Sequence, residues 1–289
     1  MECKQMGKSE SLRIGGTAEH QQVAAVPAFR RITVVNSRWL GGAVHVVLQT
    51  LLVGCGARFD PSIYPSPEQL FEASLQEFQS GDCTSADIGF QRLAFELPAR
   101  DPKRAEVRFY LAECSFKRRD YLEATRNFRR VADEHASDSL APVALLRAGD
   151  AYARLWRRPE LDSQYGVSAL ATYQELLRRY PSSPGVVAAR ERIANLNEWF
   201  AIKAYKAGMY YFRLKAYDSA IIYFKDVVAE YPATSQAPEA LLRLVEAYDR
   251  IGYEEDMRDM CQQLQRFYAD WLPRAEACLA DTSFTPGRG

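Results

Sequence analysis

Histidine is almost missing from this chain: 289 residues hold three, His20, His45 and His135. So few imidazoles leave no His pair for zinc, and no Ser/His/Asp or Cys/His constellation can be built around His135, which lies in a polar stretch suited to an inter-helix turn. Cys83, Cys114, Cys261 and Cys278 contain no CxxC, which excludes a zinc ribbon and a thioredoxin-type motif. Net charge is also absent, with 37 basic residues against 37 acidic ones, so the chain has no basic footprint for nucleic acid. Strand-like alternation is hard to find after Cys55, and acidic pairs such as Glu254-Glu255 read as solvated helix ends rather than a paired-carboxylate site. No metal, no cofactor and no enzymatic activity are expected.

A long apolar run is lacking as well. The uncharged stretch from Trp39 to Gly54 is sixteen residues, short of the about 20 that a membrane-spanning helix needs, and His45 and Gln49 interrupt it. It follows Arg30, Arg31 and Arg38 and ends at Leu52-Val53-Gly54-Cys55, which resembles a bacterial lipoprotein signal whose cysteine is acylated and becomes the new N-terminus. Cys55 is therefore the expected lipidation site, carrying palmitate-type chains, with 34–54 as signal peptide and 55–67 as lipidated linker. The alternative is a buried core segment that happens to end in cysteine. Met1 to Ala28 shows no helical or strand periodicity, and 1–33 reads as a disordered, over-extended gene start, with Val34 or Val35 as candidate initiation sites. Without the first 54 residues, 31 basic side chains face 34 acidic ones, a slightly acidic balance that gives no polybasic membrane patch.

What is present is a repeat. Gly208 is followed by Tyr211, then Ala220, Phe224 and Pro232, the spacing of two antiparallel helices with small residues near their crossing, aromatics beside it and a proline past the second helix. Asp218 is the expected N-cap of that second helix. The same frame fits Ala112, Ser115, Ala124 and Phe128; then Gly149, Tyr152, Ala169, Tyr173 and Pro181 with an eight-residue insertion around 157–164; then Val245, Tyr248, Met257 and Cys261. Phe78, Ala86, Phe90 and Pro98 form a degenerate first unit. The expected fold is all-α, a right-handed tetratricopeptide-repeat solenoid of about five helical hairpins over 68–280, followed by a disordered tail at 281–289. Helical residues beyond one repeat length at 186–200 imply either a lengthened first helix of the fourth unit or an extra helix before it. Cys261 and Cys278 either pair, if their helices are adjacent, or stay as two buried thiols.

In a solenoid of this type the first helices line a groove that binds extended peptides or helices. The frame places Phe109, Phe116, Lys117, Arg154, Tyr205, Phe212 and Arg213 there, aromatic area with cations for a carboxylate-bearing peptide.

The lipoprotein junction, the Pro-rich leader Tyr64-Pro65-Ser66-Pro67, the stretches 169–181 and 210–232, and Pro238-Glu239-Ala240-Leu241 with Val245-Glu246-Ala247-Tyr248 resemble the BamD family over most of 55–270. The resemblance implies a lipoprotein on the periplasmic face of the outer membrane. Its implied partners are a BamA-like outer-membrane barrel, other assembly-complex lipoproteins and unfolded outer-membrane proteins awaiting insertion. Gly56 fits outer-membrane sorting, since the retention signal of such lipoproteins is usually aspartate at that place. Met257 and Cys261 depart from the family's small and aromatic pattern, which puts partner contacts at that end in doubt. A different envelope scaffold, serving division or polysaccharide export, is the runner-up, and a periplasmic enzyme is the third class.

Overall fold

The computed structural model describes residues 59–280; the expected gene start and signal peptide, the expected lipidation site Cys55, Gly56 and the expected tail lie outside the described residues. Ten helices join in sequence as five hairpins: α1 (Pro67–Ser80) with α2 (Cys83–Glu96), α3 (Lys103–Lys117) with α4 (Tyr121–Glu134), α5 (Leu140–Leu155) with α6 (Gln164–Arg179), α7 (Gly185–Arg213) with α8 (Tyr217–Glu230), and α9 (Gln236–Ile251) with α10 (Glu254–Phe267). A 3-10 turn at Ala269–Arg274 and the short α11 (Glu276–Ala280) close the end. No strand occurs among the described residues, and no helix there is long and apolar enough to cross a membrane.

Side-chain chemistry sets several helix starts. Ser66 accepts from the Gln69 N–H at 3.3 Å with Pro67 at the first helical position, and Asp82 accepts from the N–H groups of Thr84 and Ser85 at 2.9 and 3.1 Å. Asp218 does not cap α8. Ala216 takes that place without a side-chain bond, and Asp218 sits in the first turn, where its charge still faces the positive helix end. The turn closes earlier than expected because Lys215 is left-handed (φ 60°). Gly81, Arg119 and Gly252 are left-handed too, and all four residues precede Ala86, Ala124, Ala220 or Met257 by the same five positions. In the third hairpin the position seven residues past Gly149, equivalent to Arg119, Lys215 and Gly252 past Ala112, Gly208 and Val245, is Trp156 (φ −86°), and an irregular connection over 156–163 replaces the tight turn.

The small residues make room for rings. A Cβ on Gly149 would lie 2.3 Å from the Tyr173 ring, and one on Gly208 would lie 2.6 Å from the Phe224 ring. Gly208 therefore accommodates the aromatic of its partner helix rather than a close approach to Ala220. In the first hairpin the equivalent small residue is Ser74, fully buried, while Phe78 lies half-buried with its ring 5.1 Å from that of Tyr110. Phe90, Phe128, Tyr173 and Phe224 occupy one register in successive second helices and are all fully buried, each contributing about 1.5–3 kcal/mol by leaving water. The first hairpin is thus as well packed as the others. For Gly208→Ala, the helix propensity gain of about 1 kcal/mol is outweighed by overpacking of about 1–3 kcal/mol. The thermal midpoint read by circular dichroism should fall, and a rise would contradict the ring-clearance account.

The 29-residue α7 settles the surplus before the fourth unit as one lengthened helix. It also divides the core. Leu196 and Phe200 belong to the cluster of the second and third hairpins, whereas Ala201 begins the cluster that runs through Phe224, Leu241 and Leu264 to Cys278. Cys261 and Cys278 are disulfide-bonded with Cα atoms 5.7 Å apart, which decides between the two alternatives for that pair.

Candidate functional site

The seven groove candidates do not converge. Phe109 packs against Phe128 (centroids 5.5 Å), Tyr205 against Phe224 (5.6 Å), and Phe212 against Tyr217 and Phe224 (5.3 and 6.3 Å). Phe116 meets Tyr121 at 5.2 Å, and the Arg147 guanidinium lies 4.1 Å from its centroid. These aromatics bind the first helix to the second within each hairpin, because their register on the first helix faces the ring of the second. Lys117 donates to the Phe78 carbonyl at 3.3 Å and covers that ring, Arg154 and Arg213 are exposed, and Phe212 borders a polar cleft of about 290 Å³ with Glu246, Arg250 and Arg274. Of the repeat positions, Ala169, Tyr173, Ala220 and Phe224 are fully buried, Gly149 and Gly208 are buried beneath rings, and Tyr152 and Tyr211 are half-buried. Pro181 and Pro232 are exposed just beyond α6 and α8.

Ion pairs lock the array in register. Arg147 makes a two-pronged bond to Glu113 on α3 (2.5 and 2.7 Å) and approaches Asp150, which also accepts from Arg192 on α7 (3.1 Å) and from the Tyr173 hydroxyl (2.8 Å). Burial opposes the Arg147 charge, but the Glu113 and Asp150 bonds raise its pKa further, while burial and the Asp150 carboxylate hold the Tyr173 phenol protonated. On the second helices, Glu175 bridges Arg129 (3.1 Å) and Arg179 (2.6 Å). These groups tie neighbouring hairpins together. Among the described residues no group of three or more His, Cys, Asp and Glu side chains could hold a metal ion.

An opening lies where the core divides along α7. A cleft of about 590 Å³ is lined by Phe200, Lys203, Ala204, Lys206 and Ala207 of α7, Tyr223 and Asp226 of α8, Tyr231, and Glu160 and Ser163 of the 156–163 connection. The connection is held by Trp156, 1% exposed, whose ring lies 4.7 Å from that of Phe200 and 5.4 Å from that of Trp199. Gly166 is required beneath it, since a Cβ there would lie 2.2 Å from the indole. Lys203 donates to the Leu161 carbonyl at 2.8 Å and Lys206 pairs with Glu160, whose carboxyl that bond holds below its ordinary range. From the cleft an apolar stripe continues along one face of α7 through Tyr210 and Leu214, 61% and 60% exposed, with Tyr211 stacked on Tyr223 at 5.4 Å. None of the seven groove candidates lines this cleft. The signal that could have found it was in the sequence: the insertion at 157–164 and the surplus at 186–200 are the two departures from the repeat, and they meet here.

Paired helices in stacked hairpins, with an aromatic and lysine-lined cleft between them, define a tetratricopeptide-repeat scaffold. Residues 65–264 match the YfiO family, described as "Outer membrane lipoprotein", and the chain belongs to that family. Over 191 residues it is 38% identical to the "Outer membrane protein assembly factor BamD" of Caulobacter vibrioides, a match that spans 66% of this chain and 62% of that relative's length. Among solved structures it is similar to a thermophilic TPR protein of Thermus thermophilus (20% identity, 74% of this chain and 100% of that one, TM-score 0.33). It is also similar to a TPR repeats protein of Bacteroides fragilis (15% identity, 76% and 89% covered, TM-score 0.38).

Proposed function

We propose that this chain is a lipid-anchored scaffold of outer-membrane protein assembly that receives extended segments of unfolded outer-membrane proteins in the α7/α8 cleft. The observation that carries this reading is the cleft itself, an open apolar slot with an aromatic wall and two lysines, sited where the array departs from regular stacking. Phe200, Tyr223 and Tyr231 offer rigid area to apolar side chains, and Lys203, whose ammonium bonds the neutral Leu161 carbonyl, offers its charge to a carboxylate, while Lys206 is paired with Glu160. Family membership and the relative's role in outer-membrane protein assembly support the setting. In that setting an acylated Cys55 anchors the array on the periplasmic face. A BamA-like barrel and other assembly lipoproteins are its partners, and the scaffold acts by holding and presenting its clients, not by chemistry.

Ala207→Trp fills the slot without touching an ion pair. A fluorescent peptide from the last strand of an outer-membrane barrel should bind this variant at least about tenfold more weakly, a loss of about 1.4 kcal/mol, with helicity unchanged. Equal affinity would remove the cleft from the proposal. Failure to co-purify with a BamA-like barrel after mild detergent extraction would instead favour a scaffold of another envelope process.

A further inference from the structure

Two thiols outside the cleft have no part in that reading. Cys83 opens α2 and is 7% exposed, Cys114 on α3 is fully buried, and both are free. They belong to one core cluster with Leu70, Phe71, Phe90 and Val107. Arg118 ties their backbones together: its N–H donates to the Cys114 carbonyl at 3.0 Å, and its guanidinium donates to the Cys83 carbonyl at 3.1 Å and to Asp87 at 3.3 Å. The two side chains pack in that same cluster, and burial, with the Cys83 thiol beside it, pushes the Cys114 thiol up. The chain already carries one disulfide, at Cys261–Cys278, so it is suited to an oxidising compartment.

We propose that Cys83 and Cys114 are a redox-convertible dithiol that closes to a second disulfide, joining the first hairpin to the second. The oxidant is an external disulfide, protein or glutathione type. Cys83, the more accessible sulfur, attacks as thiolate, breaking the external S–S bond, forming a mixed disulfide and releasing one external thiolate, which takes up a proton. Cys114 then loses its proton and attacks the Cys83 sulfur, forming the Cys83–Cys114 bond and releasing the second external thiol. Two protons and two electrons leave the pair, and the external disulfide becomes two thiols. Burial pushes the Cys114 thiol up, which is why Cys83 takes the first step and Cys114 the resolving one. Closed, the pair would turn a packing contact between α2 and α3 into a covalent one and stiffen the N-terminal half of the array.

The test uses the full chain incubated with oxidised glutathione, then denatured, alkylated and digested with trypsin. Cys83 falls in peptide 59–92 and Cys114 in 109–117, so neither is confused with Cys3 or Cys55. The expected result is a linked 59–92/109–117 pair, lighter than the two free peptides by two hydrogens, with both sites lost to alkylation. Cys114→Ser should stop at a glutathione adduct on Cys83. Two alkylated peptides from the wild type would overturn the proposal, and so would a stable wild-type adduct on Cys83 beside an alkylated Cys114.

Discussion

Trp156→Ala is expected to lower the unfolding free energy by about 3–5 kcal/mol, the range for emptying a fully buried large aromatic site, and to weaken peptide binding at the same time. Trp156 is 1% exposed and packs on Phe200 and Trp199. Its loss opens a cavity between α6 and α7 and frees the 156–163 connection, leaving the Lys206–Glu160 pair and the Lys203 bond as the anchors of the cleft wall. Both bonds are at the surface, where water screens the Lys206–Glu160 pair, so neither holds the wall alone. Trp156→Phe separates the two effects. The indole N–H has no hydrogen-bond partner in the described structure, so phenylalanine keeps much of the ring and removes a buried donor that costs about 1–3 kcal/mol. Urea unfolding should therefore place Trp156→Phe well above Trp156→Ala, with peptide affinity near wild type. Equal destabilisation by both variants would mean that the ring is not what seats the connection.

The hairpin array was legible because its rule is local. One ring per second helix needs one small residue on the first, and Gly149 with Tyr173 or Gly208 with Phe224 state that rule at fixed spacing. The groove was not legible, and the reason is physical. An aromatic such as Phe109 or Tyr205 has the same composition signature whether it faces a ligand or a neighbouring ring, and which of the two holds depends on how the second helix of its own hairpin crosses the first, here placing Phe128 against Phe109 and Phe224 against Tyr205. The left-handed turn register was half legible: Gly81 and Gly252 announce it, whereas Arg119 and Lys215 adopt it against a steric preference of roughly 1–2 kcal/mol. Insertions were more informative than matches. The surplus residues before α6 and within α7 mark the place where the core divides and the cleft opens.

The last hairpin departs from the rule in a different way. At the register that holds Phe90, Phe128, Tyr173 and Phe224 it carries Cys261, bonded to Cys278 of the terminal α11. A cysteine fills less space than a ring, and among the described residues Leu272, Ala275 and Cys278 of the closing segment, not a further hairpin, complete the cluster. The covalent link thus does here what packing of a following repeat does elsewhere. Opening a loop with a sequence separation of 17 releases chain entropy worth about 3 kcal/mol in the unfolded-state account. Cys278→Ala should therefore lower the midpoint of a cooperative thermal transition by about 6–12 °C for a domain of this size. Because nearest-neighbour contacts dominate in a repeat array, the loss should begin locally. Hydrogen exchange should accelerate first over 269–280, then over α10, and leave α3 to α6 unchanged. Dithiothreitol added to the wild type should reproduce the pattern. Unchanged protection over 269–280 in the variant would show that apolar contacts alone hold the cap. Acceleration spread evenly through all five hairpins would show that the link stabilises the array as one cooperative unit instead of sealing its end.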